Sequence, residues 1–184
     1  MTPAKPAGSL RDIVLSELGR GLWHSTHPTW FARILSDGTI SPEPDIPDNE
    51  RFGTAIGPEG YPYVRSIGGV SLFDLTDFEP ATYSDLYRSS SWDFFIPFRR
   101  DWSQSIWIEI DRRALGTGFI SGAALLAQWK RERASRRIMP LIEAAHIGAI
   151  HRNTFIRAFQ VTDGDEAIVP LDLSPPCLRV EGQT

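Results

Sequence analysis

Leu22-Trp23-His24-Ser25-Thr26-His27-Pro28-Thr29-Trp30-Phe31-Ala32-Arg33-Ile34-Leu35-Ser36-Asp37-Gly38 is the stretch on which the reading of the fold turns. Its first five residues predict a short strand. Pro28 suits the first position of a helix, where a missing N–H leaves nothing unpaired, with Thr26 or His27 before it as the cap. Trp30, Phe31, Ile34 and Leu35 form one apolar stripe at helical spacing, and Gly38 ends the helix. Upstream, Leu10, Ile13, Val14 and Leu18 predict another helix stopped by Gly21, and residues 1–9, with Pro3, Pro6 and Gly8, predict a flexible N-terminal arm.

Downstream, Ser41 to Pro62 holds five prolines and three glycines with acidic residues between them and little periodicity. A stretch of that kind inside a domain predicts a lid loop over a site. Gly69–Leu75, Asp93–Phe98 and Ser105–Ile110 predict strands, the last alternating as Ile106, Ile108 and Ile110. Gly122–Ala134 predicts a helix and Met139–Ile147 a buried strand. Asn153–Phe159 predicts a short helix, with Val161 leading into a last strand. Strands outnumber helices without regular β-α-β alternation, so the fold class is α+β.

The 184 residues, 41% hydrophobic and 23% charged, make one domain over residues 10–184. No apolar run reaches the roughly 18 residues a membrane span needs, so no membrane is expected. Met1 to Leu10 lacks a signal peptide's apolar core. The one cysteine, Cys177, excludes an internal disulfide, and a reducing cytoplasm is the expected compartment. A net charge of −4 provides no global basic field.

Several constellations suggest chemistry and are outweighed by plainer readings. Gly116-Thr117-Gly118-Phe119-Ile120-Ser121-Gly122 imitates a dinucleotide fingerprint, with Glu143 as its acid, but the spacing is wrong and a turn before a helix suffices. His24 and His27 are three apart but Pro28 follows at once, so they need not share a helix face, and no cysteine or acid completes a ligand spacing with them or with His146 and His151. No metal is therefore expected. No GxSxG elbow is present. Glu109 and Asp111 share a strand face, which reads as a solvated edge. Glu143 is harder to set aside, because a carboxylate among Leu141, Ile142, Ala144 and Ala145 costs free energy if buried unpaired. Arg136 and Arg137 are the structural partners that would explain it otherwise.

Taken together, two segments resemble the ADP-ribosyltransferase fold family, which includes diphtheria-toxin-like enzymes and the poly-ADP-ribose polymerases, and most of all its bacterial DNA-targeting toxins. Trp23-His24-Ser25-Thr26 followed by a helix ending Ile34-Leu35-Ser36-Asp37-Gly38 is similar to the family's first motif. Arg137 to Ile150 is similar to the segment carrying its catalytic glutamate. The resemblance implies a split mixed β-sheet with flanking helices, NAD as substrate, and no metal. It assigns Glu143 as the catalytic residue and His24, Ser25 and Thr26 to NAD, the histidine on a ribose hydroxyl. Gly69-Val70-Ser71-Leu72-Phe73 is similar to the middle strand, which carries a serine or a tyrosine. Ser71 fits the serine version, and Tyr63, beside Tyr61 and Tyr83, is the tyrosine candidate for stacking on nicotinamide. The residue two before Glu143 is Leu141 where arginine-specific members carry a second glutamate, which disfavours arginine as acceptor.

The activity implied is mono-ADP-ribosyl transfer from NAD to a macromolecule, by a bacterial toxin or anti-phage effector with an antitoxin as its partner. The rivals are an NAD glycohydrolase on the same fold and a non-catalytic binding module. Lys130 to Arg137 carries five positive charges against one negative and leads into the Glu143 strand, which favours nucleic acid over protein as acceptor. A solvated helix end suited to the helix dipole is the plainer reading of the same residues.

Overall fold

The computed structural model describes residues 8–52 and 57–174. Helix α1 (Leu10–Leu18) starts at Ser9, whose hydroxyl accepts from the Asp12 N–H while the Asp12 carboxylate accepts from the Ser9 N–H. Ser9 is thus the cap of α1, and residues 1–7 of the expected arm lie outside the described residues. Strand β1 (Leu22–Thr26) runs into α2 (Pro28–Asp37), capped by His27 Nδ1 accepting from the Thr29 N–H at 3.2 Å. Gly38 closes α2 at φ 70°, the left-handed conformation that a glycine takes without a Cβ penalty.

After α2 come β2 (Thr39–Ile40), α3 (Tyr63–Ser66), β3 (Gly69–Asp74), α4 (Pro80–Leu86), α5 (Trp92–Phe95) and β4 (Gln104–Ile110). Then follow β5 (Phe119–Ile120), α6 (Gly122–Arg131), β6 (Glu143–Ile147), β7 (Ile150–His151), β8 (Phe155–Thr162) and β9 (Val169–Leu171). Two expectations are corrected. The predicted strand Asp93–Phe98 contains the end of helix α5 followed by irregular chain, and the predicted helix Asn153–Phe159 is one 3-10 turn followed by β8. Pairing with β4 along seven register positions makes β8 a strand.

The α+β class holds. Seven strands form one sheet in the order β5-β6-β3-β1-β4-β8-β9, with every pairing antiparallel, while β2 and β7 pair separately. The expected mixed sheet is thus an antiparallel one. Alternation along β1 and β4 distributes two cores. Trp23 and Trp107 pack with Val14 and Leu18 of α1 on one face, while Leu22, Ile106, Ile108 and Ile110 pack with Phe31 and Leu35 of α2 on the other.

One register detail positions everything that follows. β1 pairs with β4 along all five residues, but with β3 only at Leu22↔Asp74 and Trp23↔Phe73. From His24 onward the sheet parts between β1 and β3.

Candidate active-site cleft

A cleft of about 470 Å³ opens where the two strands part, lined by His24, Ser25 and Thr26 from β1, Ser71 and Phe73 from β3, and Glu143 from β6. The volume lies within the roughly 300–1,000 Å³ of small-molecule sites. The strands contributing these residues are neighbours in the order β6-β3-β1, which puts Ser71 on the middle one.

His24 bridges the gap the backbone leaves. Its Nδ1 lies 3.1 Å from the Ser71 carbonyl oxygen. A carbonyl only accepts, so Nδ1 carries the hydrogen and the neutral ring keeps its acceptor lone pair on Nε2. Burial holds the imidazole's pKa below its ordinary value, and the Ser71 carbonyl opposes that. The ring is therefore set to accept a hydroxyl rather than to offer charge.

Glu143 sits at the first position of β6 and is 4% exposed. Its Oε1 accepts from Ser71 Oγ–H at 2.7 Å and its Oε2 from the Met139 N–H at 2.9 Å. Phe73 is the cross-strand partner of Glu143, which places Ser71 diagonally from it on the same face of the sheet. Burial raises the carboxyl pKa above its ordinary range, against the two donors that lower it. Neither arginine that would make it a structural ion pair is bonded to it. Arg136 donates to the carbonyls of Pro58, Glu59 and Tyr61, and no ion pair reaches Glu143 among the described residues.

The chain before Glu143 is bent tightly to hold it. The Glu143 N–H returns to the Met139 carbonyl, Leu141 takes φ 66°, and Tyr83 Oη–H donates to the Pro140 carbonyl at 2.8 Å. The glycine-rich stretch serves this bend. A Cβ on Gly122 would stand 1.7 Å from the Leu141 carbonyl oxygen, and one on Gly118 would stand 2.7 Å from His146 Nε2. These glycines allow backbone to pack against β6, which removes the dinucleotide-fingerprint reading. Glu109 likewise is held in an ion pair by Arg157, and Asp111 caps the following turn.

From the stretch Ser41 to Pro62, of which residues 53–56 lie outside the described set, Ser41 to Ile46, Glu50 to Phe52 and Pro62 line the cleft. Arg65 of α3 bonds Glu43 at 3.0 Å and Asp48 at 3.1 Å and lies 3.5 Å from the Tyr61 ring centroid, while Arg51 reaches Glu43 at 2.8 Å.

Of the six predicted site residues, five line the cleft. Tyr63 does not. It is 2% exposed, packed with Val64, Leu125 and Ala145, and its hydroxyl donates to Glu132 at 2.6 Å. Burial first, and then that carboxylate, push its pKa up to about 12. Tyr83 also sits away from the cleft lining. The aromatic rings that do line it are Trp30, Phe52, Phe73, Phe95 and Trp102, and the buried cation Arg99 joins them. Trp30 and Phe73 lie within the segments that the sequence singles out, whereas the neighbourhoods of Phe52, Phe95, Arg99 and Trp102 carry no signal that marks them as site residues. Comparison with protein-family models, curated proteins and solved structures finds no match for the chain.

Proposed function

We infer that the chain is an ADP-ribosyltransferase that cleaves NAD at the nicotinamide–ribose bond and passes ADP-ribose to a macromolecular acceptor. One observation carries the reading: a carboxylate 4% exposed on the cleft wall, oriented by Ser71 and the Met139 N–H rather than by a cation. A buried carboxylate held this way costs stability. It suits a reaction in which positive charge develops beside it.

As the C1′–nitrogen bond breaks, its electron pair returns to the pyridinium ring, which leaves as neutral nicotinamide. The ribose becomes an oxocarbenium ion. Glu143 holds a ribose hydroxyl and stabilises that cation. The positive nicotinamide of bound NAD favours the ionised form of Glu143, countering the effect of burial. His24, a neutral acceptor, anchors NAD through a ribose hydroxyl. The acceptor's nucleophile then bonds C1′ and gives up its proton to water.

The run of cations that leads to Arg137 supports nucleic acid as acceptor. Lys130, Arg131 and Arg133 are exposed and Arg137 lines the cleft itself. A toxin or anti-phage effector of this kind acts in the cytoplasm and is restrained by an antitoxin. Incubation with lysate and NAD labelled on its adenine half tests the reading. Label on a macromolecule supports transfer, free labelled ADP-ribose alone makes the protein a glycohydrolase, and intact NAD makes it a binding module. Label that withstands nuclease and is removed by protease replaces nucleic acid by protein as acceptor.

A further inference from the structure

Among the described residues, the buried side-chain atoms without a hydrogen-bond partner include Ser25 Oγ, Arg65 Nη1 and Arg99 Nε, and all three residues line the cleft. Arg99 is the most enclosed of them, at 7% exposed. Its backbone is fixed by an N–H bond to Ser105 Oγ at 2.8 Å, and its guanidinium lies 4.2 Å from the Trp102 ring centroid. Nη2 donates to Asp101 at 2.6 Å and Nη1 only distantly to the Glu50 carbonyl, at 3.5 Å. A guanidinium has about five N–H donors, so Arg99 keeps donors in reserve.

Arg137 is its counterpart. The other arginines of the cleft are each matched by carboxylates: Arg33 by Asp37 and Asp45, Arg51 by Glu43, Arg65 by Glu43 and Asp48. Arg137 is exposed and makes no ion pair among the described residues. Its guanidinium approaches the Phe52 ring at 5.9 Å from the centroid, and Arg99 approaches the same ring at 5.8 Å. Asp101 meets only Nη2 of Arg99, and Arg137 has no carboxylate among the described residues, so the pair brings more positive charge and more donors to this ring than its carboxylates satisfy. One has a buried donor with no acceptor and the other has an open fork. The complementary ligand is an anion with several acceptor oxygens, and arginine forks match phosphate oxygens in geometry as well as charge.

We propose that Arg99 and Arg137 together hold the diphosphate of the cleft's dinucleotide substrate, a role that rests on the NAD reading. Arg99 contributes Nε–H from the wall and Arg137 closes over the opposite side. Neither residue touches the reacting carbon, so both act on binding.

Calorimetric titration of the full chain, R137Q and R99K with NAD, ADP-ribose, adenosine and inorganic pyrophosphate tests the pair. The expected result is at least a ten-fold loss of affinity for NAD, ADP-ribose and pyrophosphate in each variant, with adenosine binding unchanged. Arg137 is exposed, so R137Q decides the matter even if R99K does not fold. NAD and ADP-ribose bound by R137Q as tightly as by the wild type overturns the pair, as does an equal loss for adenosine. Pyrophosphate bound in an Arg137-dependent manner, with no affinity for NAD, keeps the anion site and removes the NAD reading. A wild type that binds none of the phosphate ligands removes both.

Discussion

Replacing Ser71 with alanine should weaken the protein by an amount that depends on pH. The hydroxyl donates to Glu143 Oε1 at 2.7 Å, and Glu143 is 4% exposed, so water does not readily replace the lost donor. A hydrogen bond to a charged group contributes about 1.5–3 kcal/mol and one to a neutral group about 0.5–1.5 kcal/mol. The substitution should therefore cost about 1–1.5 kcal/mol more when Glu143 is ionised than when it is protonated. The sign follows from the direction of the shift. Burial already raises the Glu143 pKa in the folded protein, so its favourable contribution is complete below the ordinary carboxyl value and fades as pH rises through the folded value. Removing Ser71 raises the folded value further and extends that loss. Urea unfolding of wild type and S71A at about pH 4 and about pH 8 measures the effect, because the other carboxylates titrate alike in both proteins and cancel. A destabilisation equal at the two pH values refutes the placement of an ionisable, serine-held carboxylate in this cleft.

Two further substitutions separate site from scaffold. His24→Ala removes the Nδ1–H bond to the Ser71 carbonyl across the parted strands and should cost about 1 kcal/mol in urea unfolding. It should also weaken NAD binding in a calorimetric titration, and unchanged affinity removes His24 from the substrate's contacts. Tyr63→Phe deletes only the hydroxyl that donates to Glu132, so about 1 kcal/mol of stability should go while nicotinamide release stays at the wild-type rate. A large fall in release from folded Y63F returns Tyr63 to the site.

What could be read from the sequence was what short-range chemistry decides. Leu22 to Gly38 carries its own punctuation in Pro28 and Gly38, and β1 and α2 fall where those residues put them. Glu143 stood out because a carboxylate among apolar neighbours has to be accounted for wherever it folds. Asp93 to Phe98 reads as a strand because a short apolar run without periodicity fits a strand or one helical turn equally well, and helix α5 covers its first half. Phe155 to Phe159 reads as helix although it is strand, because its ladder with β4 is a long-range contact that outweighs local preference. Tyr63 is a candidate only as one of the tyrosines available for stacking, and α3 is four residues long and gives no pattern that would reveal its buried face. The parting of β1 from β3 depends on register alone, and the meeting of Phe52, Arg99 and Arg137 joins residues far apart in the chain.

Release of nicotinamide from NAD by the purified protein and by Glu143→Gln tests the central claim most directly. Glutamine keeps the shape and can still bond Ser71 and the Met139 N–H, so the variant should unfold in urea no more easily than wild type at neutral pH, where burial disfavours the ionised carboxylate. Without the negative charge the ribose cation loses its stabilising partner, and release should fall by at least about a hundred-fold, the scale seen when a key electrostatic group is removed from an active site. Release by E143Q at the wild-type rate, or no release by the folded wild-type protein, contradicts the account.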